Sequence, residues 1–180
     1  MLRDLIVGPH QISFDITNKC NLRCLHCYNS SGENLASQNE LTDQEVLDFI
    51  DEFKSIKLLN FCFCGGEPLL RKELIVEAAK RLRTYGCENV AMVSNGILMT
   101  DEVIEELINA GVTRIQISLD GIKAESHDRI RNKKGVYEKA TRAIEALVKH
   151  GVDTAVAFTP TSFNISELRA VRDYLHTVGI

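Results

Sequence analysis

The chain has 180 residues and a formal net charge of −4, with 21 Lys and Arg against 25 Asp and Glu. This length suits one domain, and this charge argues against the broad basic surface that nucleic-acid-binding proteins present. The longest stretch without a charge, residues 154–166, contains Pro160 and is shorter than the about 20 apolar residues of a membrane helix. Residues 1–10 hold no apolar core of signal-peptide length, so we expect a cytoplasmic protein that contacts neither nucleic acid nor membrane.

Strand-like and helix-like segments alternate along the chain. The apolar periodicity predicts, in chain order, a strand at 11–16, a long loop at 17–41 with a cysteine cluster and an SSGEN turn, a helix opening at Thr42, a strand at 57–63, a helix at 72–85, a strand at 89–94, a helix at 101–110, a strand at 113–119, a charged loop, a helix at 136–150, a strand at 153–159 and a helix at 165–177. Thr42 and Glu45 form a capping box, and Gly86 and Gly111 are typical stop signals.

This alternation indicates an α/β protein with about five βα units joined right-handedly. The short, β-branched strands are typical of a parallel sheet covered by helices. An open doubly wound sheet and part of a barrel both fit this pattern, and periodicity alone does not choose between them. Both architectures place their chemistry at the carboxyl ends of the strands.

Three cysteines follow the first predicted strand in the sequence CNLRCLHC: Cys20, Cys24 and Cys27. Without an export signal they indicate a metal or redox site more than a disulfide framework. Three thiolates from one loop favour an iron–sulfur cluster with one open iron. A zinc site with His26 as fourth ligand is the alternative, although no second C-x2-C pair exists, and three unligated structural cysteines are a further reading.

Glycine and polar residues follow the next three strands at the same predicted edge of the sheet. They read CGGEP over 64–68, SNG over 94–96 and SLDG over 118–121, whereas the strands themselves are apolar. One edge of the sheet is therefore predicted to carry the site.

With these motifs the chain resembles the radical S-adenosylmethionine (radical SAM) enzymes. The family's hallmark is a C-x3-C-x-Φ-C loop, here Cys20, Cys24, His26 and Cys27, after the first strand of a partial TIM-like (βα)6-type barrel. The resemblance covers essentially all 180 residues. It implies a [4Fe–4S] cluster on the three cysteines and bound S-adenosylmethionine. A reduced cluster would pass one electron to the sulfonium, releasing methionine and a 5′-deoxyadenosyl radical that abstracts hydrogen from a substrate.

The resemblance also implies a role for each later motif. The stretch that holds the methionine amino group in the family matches Gly65, Gly66, Glu67 and Pro68. The segments that contact the ribose match Ser94, Asn95, Ser118 and Asp120. The arginine that faces the methionine carboxylate matches Arg131. Glycine lets backbone approach a ligand closely, Glu67 can accept from an ammonium, and Arg131 can form a fork with a carboxylate.

Simpler readings stand beside these assignments. Glu67 could cap the following helix, Asp120 could belong to an ordinary Asp-Gly turn, and Arg131 could lie on a solvated surface. Cys62 and Cys64 alternate with phenylalanines on one strand, so both face the same side of it. We expect both to be small buried apolar residues, and a redox or cluster role is the alternative if that side is the barrel interior.

The motif style resembles the subgroup with a C-terminal cysteine-rich extension, called SPASM or twitch, which is absent here. We therefore expect residues 1–180 to be a radical SAM core domain truncated before a sixth βα unit, with a minimal core as the alternative. The resemblance implies an enzyme of the oxidoreductase or maturase type that acts on a peptide or protein side chain and receives electrons from a donor such as flavodoxin or ferredoxin. Haem or cofactor biosynthesis is the second hypothesis, and a non-catalytic zinc or iron–sulfur module is the third.

Overall fold

Five parallel strands form one sheet in a computed structural model that describes residues 8–32, 39–56 and 58–180. The strands are β1 (Gln11–Thr17), β2 (Asn60–Gly65), β3 (Asn89–Ser94), β4 (Arg114–Ser118) and β5 (Asp153–Ala157). The helices are α1 (Asp43–Asp51), α2 (Lys72–Thr84), α3 (Asp101–Ala110), α4 (Ala124–Arg131), α5 (Val136–Lys149) and α6 (Leu168–Val178). No helix of the described ranges is long and apolar enough to span a bilayer.

The strand order decides between the two architectures that the sequence left open. The order is β1-β2-β3-β4-β5, and every neighbouring pair is parallel. A doubly wound sheet reverses its strand order at a switch point, whereas a barrel adds each strand to the same edge. The fold is therefore five βα units of a TIM-like barrel, and the predicted α/β class is confirmed.

The core lies between the outer face of the sheet and its helices. Phe61 and Phe63 of β2 and Ile115 and Ile117 of β4 alternate with inward-facing residues and are fully buried. In helix α1, Ile50 packs into the same cluster. This alternation leaves the other face of each strand to line the inside of the partial barrel.

Local signals set most helix ends as the sequence predicts. The Thr42 hydroxyl accepts from the Glu45 amide, and the Glu45 side chain accepts from the Thr42 amide, so the capping box of α1 is confirmed. Helix α3 begins after Thr100 and ends at Gly111, whose φ of 94° is the left-handed conformation that glycine adopts most easily.

Several segments differ from the sequence expectation: strand β5 ends at Ala157, two residues early, and helix α6 begins at Leu168 after a 3₁₀ turn at Ile165–Glu167. The segment predicted as a charged loop contains helix α4, because His127, Ile130 and Arg131 share one buried face although two of them are polar. Strand β2 begins at Asn60, later than predicted, and Lys57 lies outside the described residues. Residues 33–38, which include the end of the SSGEN turn, also lie outside them.

Candidate active site

A cavity of about 450 Å³ opens at the carboxyl ends of the strands. It collects side chains from the loops after β1, β2, β3 and β4, as the strand-end argument requires. Of the predicted site residues, all but Glu67, Pro68 and Asp120 line it: Cys20, Cys24, His26, Cys27, Gly65, Gly66, Ser94, Asn95, Ser118 and Arg131.

The cysteine loop is held in place by contacts to its own backbone and to helix α4. The Cys20 sulfur accepts from the Leu22 amide at 3.4 Å, and the Cys27 sulfur accepts from the Ser31 amide at 3.4 Å. The Cys24 sulfur lies 3.7 Å from a guanidinium nitrogen of Arg131. Each of the three sulfurs therefore has a donor that favours its negative, metal-binding form.

The electrostatics of the three thiols differ. Burial raises the pKa of Cys20, and burial also raises the pKa of Cys24 although Arg131 partly opposes it. Burial opposes ionisation of Cys27 too, but nearby amide groups, led by that of Ser31, outweigh it and lower the pKa. Neutral thiols are thus favoured at two positions until a cation compensates them.

The zinc hypothesis needs His26 as a fourth ligand beside the three cysteines. In the parts of the chain that the structure describes, no three His, Cys, Asp or Glu side chains lie close enough to hold one metal ion. His26, the fourth ligand of the zinc hypothesis, instead places Nε2 3.1 Å from Asp120. An iron–sulfur cluster spaces its thiolates around several metal atoms and needs no fourth ligand from His26.

The glycine pair after β2 packs tightly on the cysteine loop. The Gly66 amide donates to the Thr17 carbonyl at 2.8 Å, and the Glu67 amide donates to the Lys19 carbonyl at 2.9 Å. A Cβ at Gly65 would collide with the Thr17 carbonyl oxygen, and one at Gly66 would collide with that of Lys19. The immediate reason for the two glycines is therefore contact between two backbones, and both also face the cavity.

Glu67 does not present its side chain to the cavity. The carboxylate is fully buried and accepts from the Leu69 amide, the Ser94 hydroxyl and the Asn95 amide, so both oxygens are engaged. The capping alternative is confirmed, because Glu67 caps the 3₁₀ turn that follows, and the acceptance of a ligand ammonium by this carboxylate stays a prediction. Pro68 is the first residue of that turn and is buried.

Ser94 and Asn95 line the cavity while supporting the loop after β3. The Ser94 hydroxyl donates to Glu67 at 2.9 Å and accepts from the Gly96 amide at 3.0 Å. The Asn95 side-chain amide donates to Asn21 of the cysteine loop at 2.8 Å. The motifs after β2 and β3 are thereby joined to the cysteine loop by direct hydrogen bonds.

Asp120 is not among the residues that line the cavity, although its partners are. The fully buried carboxylate lies 2.6 Å from Arg131 and 3.1 Å from His26, and it accepts from the Thr159 amide at 2.9 Å. Ser118 and Asp120 were expected to reach one ligand together, but only Ser118 lines the cavity. Asp120 instead orients the two polar side chains, His26 and Arg131, that do line it.

Three buried polar atoms at the cavity have no hydrogen-bond partner among the described residues. They are His26 Nδ1, Ser31 Oγ and Arg131 Nε. Buried polar groups are normally paired, and all three side chains line the cavity. The cavity wall therefore fits a polar ligand beside the cysteines.

Sequence reasoning did not single out Asn164, and its main expectation for Cys62 and Cys64 differs from the structure. Asn164 is fully buried and donates to the carbonyls of Asp120 and Thr159, both at 2.9 Å. Cys64 lines the cavity, and its sulfur lies 3.5 Å from that of Cys62, so these cysteines face the barrel interior, half-buried, and the expectation of buried apolar residues is corrected. The alternation on β2 pointed to this face, whereas no local pattern marked Asn164.

Comparisons with known proteins agree with this geometry. Residues 14–175 match the model of the Radical SAM superfamily. The chain is 36% identical over 175 residues to the AdoMet-dependent heme synthase of Methanosarcina barkeri, covering 96% of this chain and 48% of the relative. It is 34% identical to the Mycofactocin maturase MftC of Mycolicibacterium smegmatis, covering 89% of this chain and 40% of that protein.

Among solved structures, SuiB of Streptococcus suis bound to S-adenosylmethionine has the same fold. The TM-score is 0.82 at 13% identity, covering 99% of this chain and 41% of SuiB. The chain spans about half the length, or less, of the proteins that it matches. The matched range holds all three cysteines and every strand-end motif, and the chain belongs to the Radical SAM superfamily.

Proposed function

We propose that Cys20, Cys24 and Cys27 hold a [4Fe–4S] cluster and that the adjoining cavity binds S-adenosylmethionine. The observation that carries this proposal is that three thiols of one loop line the same cavity as the Gly65–Gly66 turn and Arg131. Three thiolates leave one iron of a four-iron cluster free to take another ligand. When bound, the two groups supply one-electron cleavage of the sulfonium and abstraction of hydrogen from a substrate.

The chain's own residues would bind and orient the cofactor. Arg131 offers a guanidinium whose Nε has no partner among the described residues, and a methionine carboxylate supplies the acceptor it lacks. Ser118 presents a hydroxyl to the cavity from the end of β4, suited to a ribose hydroxyl. Gly65 and Gly66 let this turn pack on the backbone of the cysteine loop beside the cavity, where their backbone groups can meet the amino group.

Arg131 has a second role in this proposal. Its guanidinium lies beside the Cys24 sulfur and on the Asp120 carboxylate, so a positive charge sits next to the cluster ligands. A cluster with three thiolates carries negative charge, and a buried cation offsets part of it. Asp120 holds that cation in place and does not itself touch the ligand.

For the substrate, we propose a peptide or protein side chain. The likeness to a maturase supports this class, together with the shared fold of SuiB, which has been solved bound to the precursor peptide SuiA with a TM-score of 0.72 at 14% identity. A second candidate is a haem precursor, which the higher identity to an AdoMet-dependent heme synthase favours. The electron would come from a protein donor such as a flavodoxin or a ferredoxin.

Anaerobic reconstitution with iron and sulfide tests the cofactor proposal. We expect about four irons per chain, and 5′-deoxyadenosine on addition of dithionite and S-adenosylmethionine. Cys24→Ala should abolish iron loading, whereas Cys87→Ala, which removes a buried thiol outside the cavity, should leave it unchanged. One zinc per chain without iron, or a fully loaded cluster that forms no 5′-deoxyadenosine, would contradict the proposal.

The substrate class is tested with the same loaded protein. Formation of 5′-deoxyadenosine should rise above the substrate-free background with a peptide substrate. Stimulation by haem precursors alone would select the second candidate instead. Mass spectrometry of the added compound identifies the product in either case.

A further inference from the structure

Two more thiols face the inside of the partial barrel. Cys62 and Cys64 lie two residues apart on β2, so their side chains point to the same face of the strand. Phe61 and Phe63 alternate with them and are buried in the core between the sheet and its helices, so the thiols point to the other face, the barrel interior. The two sulfurs lie 3.5 Å apart. The interior therefore holds a close pair of thiols that is separate from the cysteine loop.

This thiol pair lies where two cavities meet. Cys64 lines the active-site cavity together with the three cysteines of the loop. Cys62 lines a second cavity of about 420 Å³, whose wall includes the first residue of every strand. Val93 and Gln116 line both cavities. Cys64 is thus the member of the pair that adjoins the proposed cofactor site.

The hydrogen bond between the sulfurs makes the two thiols different. Donation from Cys64 lowers the pKa of Cys62, although burial opposes this. The same hydrogen bond, burial and the charge of Cys62 raise the pKa of Cys64 above its usual range, and Asp15, its neighbour on β1, acts in the same direction. Cys64 therefore keeps its S–H bond at neutral pH, and Cys62 is the member that ionises first.

The strand geometry disfavours a disulfide between the two sulfurs. Two steps along an extended strand span about 6.6 Å. Disulfides normally join Cα atoms about 5.5–6 Å apart, with about 6.8 Å as the upper end of the range, so a bond here would be strained and easily reduced. The pair is therefore suited to chemistry in which both thiols are retained.

We propose that Cys64 passes a hydrogen atom to the 5′ carbon radical formed in the cavity and then takes one from the substrate, with Cys62 as its positioning partner. The inference rests on the proposed function, because the cavity must first hold the cofactor. An S–H bond is weaker than the C–H bond of a methyl group, so the first transfer is favourable. The observation that carries the inference is a thiol on the cavity wall with a second sulfur beside it.

Atoms and electrons balance without a further oxidant. In the first transfer the S–H bond of Cys64 breaks and a C–H bond forms, which gives 5′-deoxyadenosine and a thiyl radical. In the second transfer a substrate C–H bond breaks, the S–H bond forms again and the radical moves to the substrate carbon. The Cys62 sulfur, 3.5 Å away, stabilises the thiyl radical between the two transfers by sharing its unpaired electron.

This route restricts the position at which a substrate reacts. A thiyl radical removes hydrogen readily only from C–H bonds whose carbon radical is stabilised. In a peptide the α-carbon of a residue is such a position, because the neighbouring amide groups delocalise the radical. We therefore expect reaction at an α-carbon rather than at an unactivated methyl group.

Hydrogen isotopes test the first transfer. The hydrogen of a thiol exchanges with solvent, whereas a hydrogen taken directly from a substrate carbon does not. The reconstituted protein is given dithionite and S-adenosylmethionine in D₂O without added substrate, and the deuterium in 5′-deoxyadenosine is measured by mass spectrometry. Cys64→Ser keeps the size of the side chain but replaces the S–H bond with a stronger O–H bond. Cys87→Ser makes the same substitution at a buried thiol outside the cavity.

We expect one deuterium in most of the 5′-deoxyadenosine from the parent chain and from Cys87→Ser. Cys64→Ser should lower the labelled fraction about tenfold, because no weakly bound hydrogen is then held next to the radical. The iron content of Cys64→Ser should equal that of the parent chain, which shows that the variant folds. Unlabelled product from the parent chain, or equal labelling in both serine variants, would overturn the proposal.

Alkylation provides a second readout that needs no turnover. Trypsin releases Cys62 and Cys64 in one peptide, 58–71, that holds no other cysteine. Bound S-adenosylhomocysteine, which cannot form the radical, should slow the reaction of Cys64 with iodoacetamide and leave that of Cys87 unchanged. Cys62→Ser should speed the reaction of Cys64, because the pKa of Cys64 falls toward its usual range when the neighbouring thiolate is removed.

The outcomes separate this inference from the proposed function. A loaded cluster that forms no 5′-deoxyadenosine contradicts both. Formation of 5′-deoxyadenosine without solvent deuterium, or no protection of Cys64 by bound S-adenosylhomocysteine, contradicts the transfer through Cys64 and leaves the proposed function intact.

Discussion

Glu67 and Asp120 are both fully buried carboxylates beside the same cavity, but they are held by opposite kinds of partner. Glu67 accepts only from neutral donors, the Leu69 amide at 3.2 Å, the Ser94 hydroxyl at 2.9 Å and the Asn95 amide at 2.9 Å. Burial raises the pKa of Glu67 in spite of these donors. Its contacts join the motif after β2 to the motif after β3.

Asp120 is held by a charge. Arg131 lies 2.6 Å away and His26 3.1 Å away, and the Thr159 amide donates at 2.9 Å. Burial alone would raise the pKa of Asp120, but the hydrogen bond from His26 and the charge of Arg131 outweigh it and hold the pKa below its usual range. Asp120 therefore orients charged and polar groups of the cavity, whereas Glu67 connects backbone segments. The two carboxylates differ in function because one has a cationic partner and the other has none in contact.

The largest loss of stability is expected at Asp120, the carboxylate that is paired with a charged side chain. Asp120→Ala leaves the buried guanidinium of Arg131 without its counterion, and we expect the free energy of unfolding to fall by about 3–5 kcal/mol. Urea denaturation of the cluster-free chain measures this loss. Combining Asp120→Ala with Arg131→Leu should cost less than the sum of the single changes, because the second substitution removes the uncompensated charge.

An exposed pair serves as the control for this prediction. Arg114 and Asp153 lie 3.3 Å apart with both side chains more than half exposed. Removing one partner of such a pair costs at most about 1 kcal/mol, so Asp153→Ala should be nearly neutral. Equal losses for Asp120→Ala and Asp153→Ala would show that burial does not distinguish the two pairs.

A pH-dependent loss of stability of similar size is expected from His127, which contacts the Asp120 backbone. The His127 Nδ1 accepts from the Asp120 amide at 3.1 Å, which requires a neutral ring nitrogen. Burial, and then the charge of Arg131, lower the pKa of His127 to about 4, although Asp120 and Asp128 act in the opposite direction and His26 adds to the lowering. The neutral ring is thus favoured in the folded state.

The sign of this effect follows from proton uptake. The unfolded state binds a proton below about pH 6.5, whereas folded His127 does so only near pH 4, so stability is complete above pH 6.5 and falls by about 3 kcal/mol between pH 6.5 and 4. Urea denaturation of the parent chain and of His127→Gln at pH 7, 5.5 and 4 gives the free energy of unfolding of each protein. The pH-dependent difference between the two free energies is the contribution of His127. Identical pH dependence in both proteins would contradict the prediction.

The hydrogen bond from Asn164 to the Asp120 carbonyl should contribute less to stability than the ion pair of Asp120 with Arg131. Asn164 donates to the Asp120 and Thr159 carbonyls, and its own oxygen accepts from the Thr161 amide. Asn164→Ala leaves these buried groups unpaired, and we expect a loss of about 1–3 kcal/mol in the free energy of unfolding. Asn164→Asp, of equal size but without the two donors, should also lower stability. If both variants were as stable as the parent chain, the buried hydrogen bonds of Asn164 would have no measurable role.

The sequence predicted the fold well wherever apolar periodicity and stop signals coincided. Strand β3 over 89–94 and helix α3 over 101–110 are confirmed to the residue. Helix α4 was missed because its inward face carries His127 and Arg131, so no apolar stripe marks it. The residues that make α4 hard to predict are those that the site uses, since a functional face is polar where a purely structural one is apolar.

The site could be located from the sequence, but its contacts could not. Parallel strand ends meet at one edge of a sheet, so the cysteines, Gly65 and Ser118 were predicted to share a cavity. The spacing of Ser118 and Asp120 predicted that both lie at the same edge of the sheet, as they do. A two-residue spacing does not say which of the two side chains lines the cavity. Asn164 was not predicted because Asp120, the partner that joins it to the site, lies on another loop and becomes its neighbour only on folding, whereas Thr159 and Thr161 belong to its own loop.

The smallest loss of stability is expected at Glu67, the carboxylate whose partners are all neutral. This substitution tests the comparison with Asp120 most directly. In Glu67→Gln one oxygen becomes an amide nitrogen that donates. The Ser94 hydroxyl can rotate to accept from it, but the Leu69 and Asn95 amides are fixed donors on different oxygens, so either orientation leaves one of them without an acceptor. One buried unpaired amide should lower the free energy of unfolding by about 1–2 kcal/mol, measured by urea denaturation beside Asp120→Asn. A loss as large as that of Asp120→Ala would mean that Glu67 depends on a charged partner as Asp120 does, and the distinction between the two carboxylates would not hold.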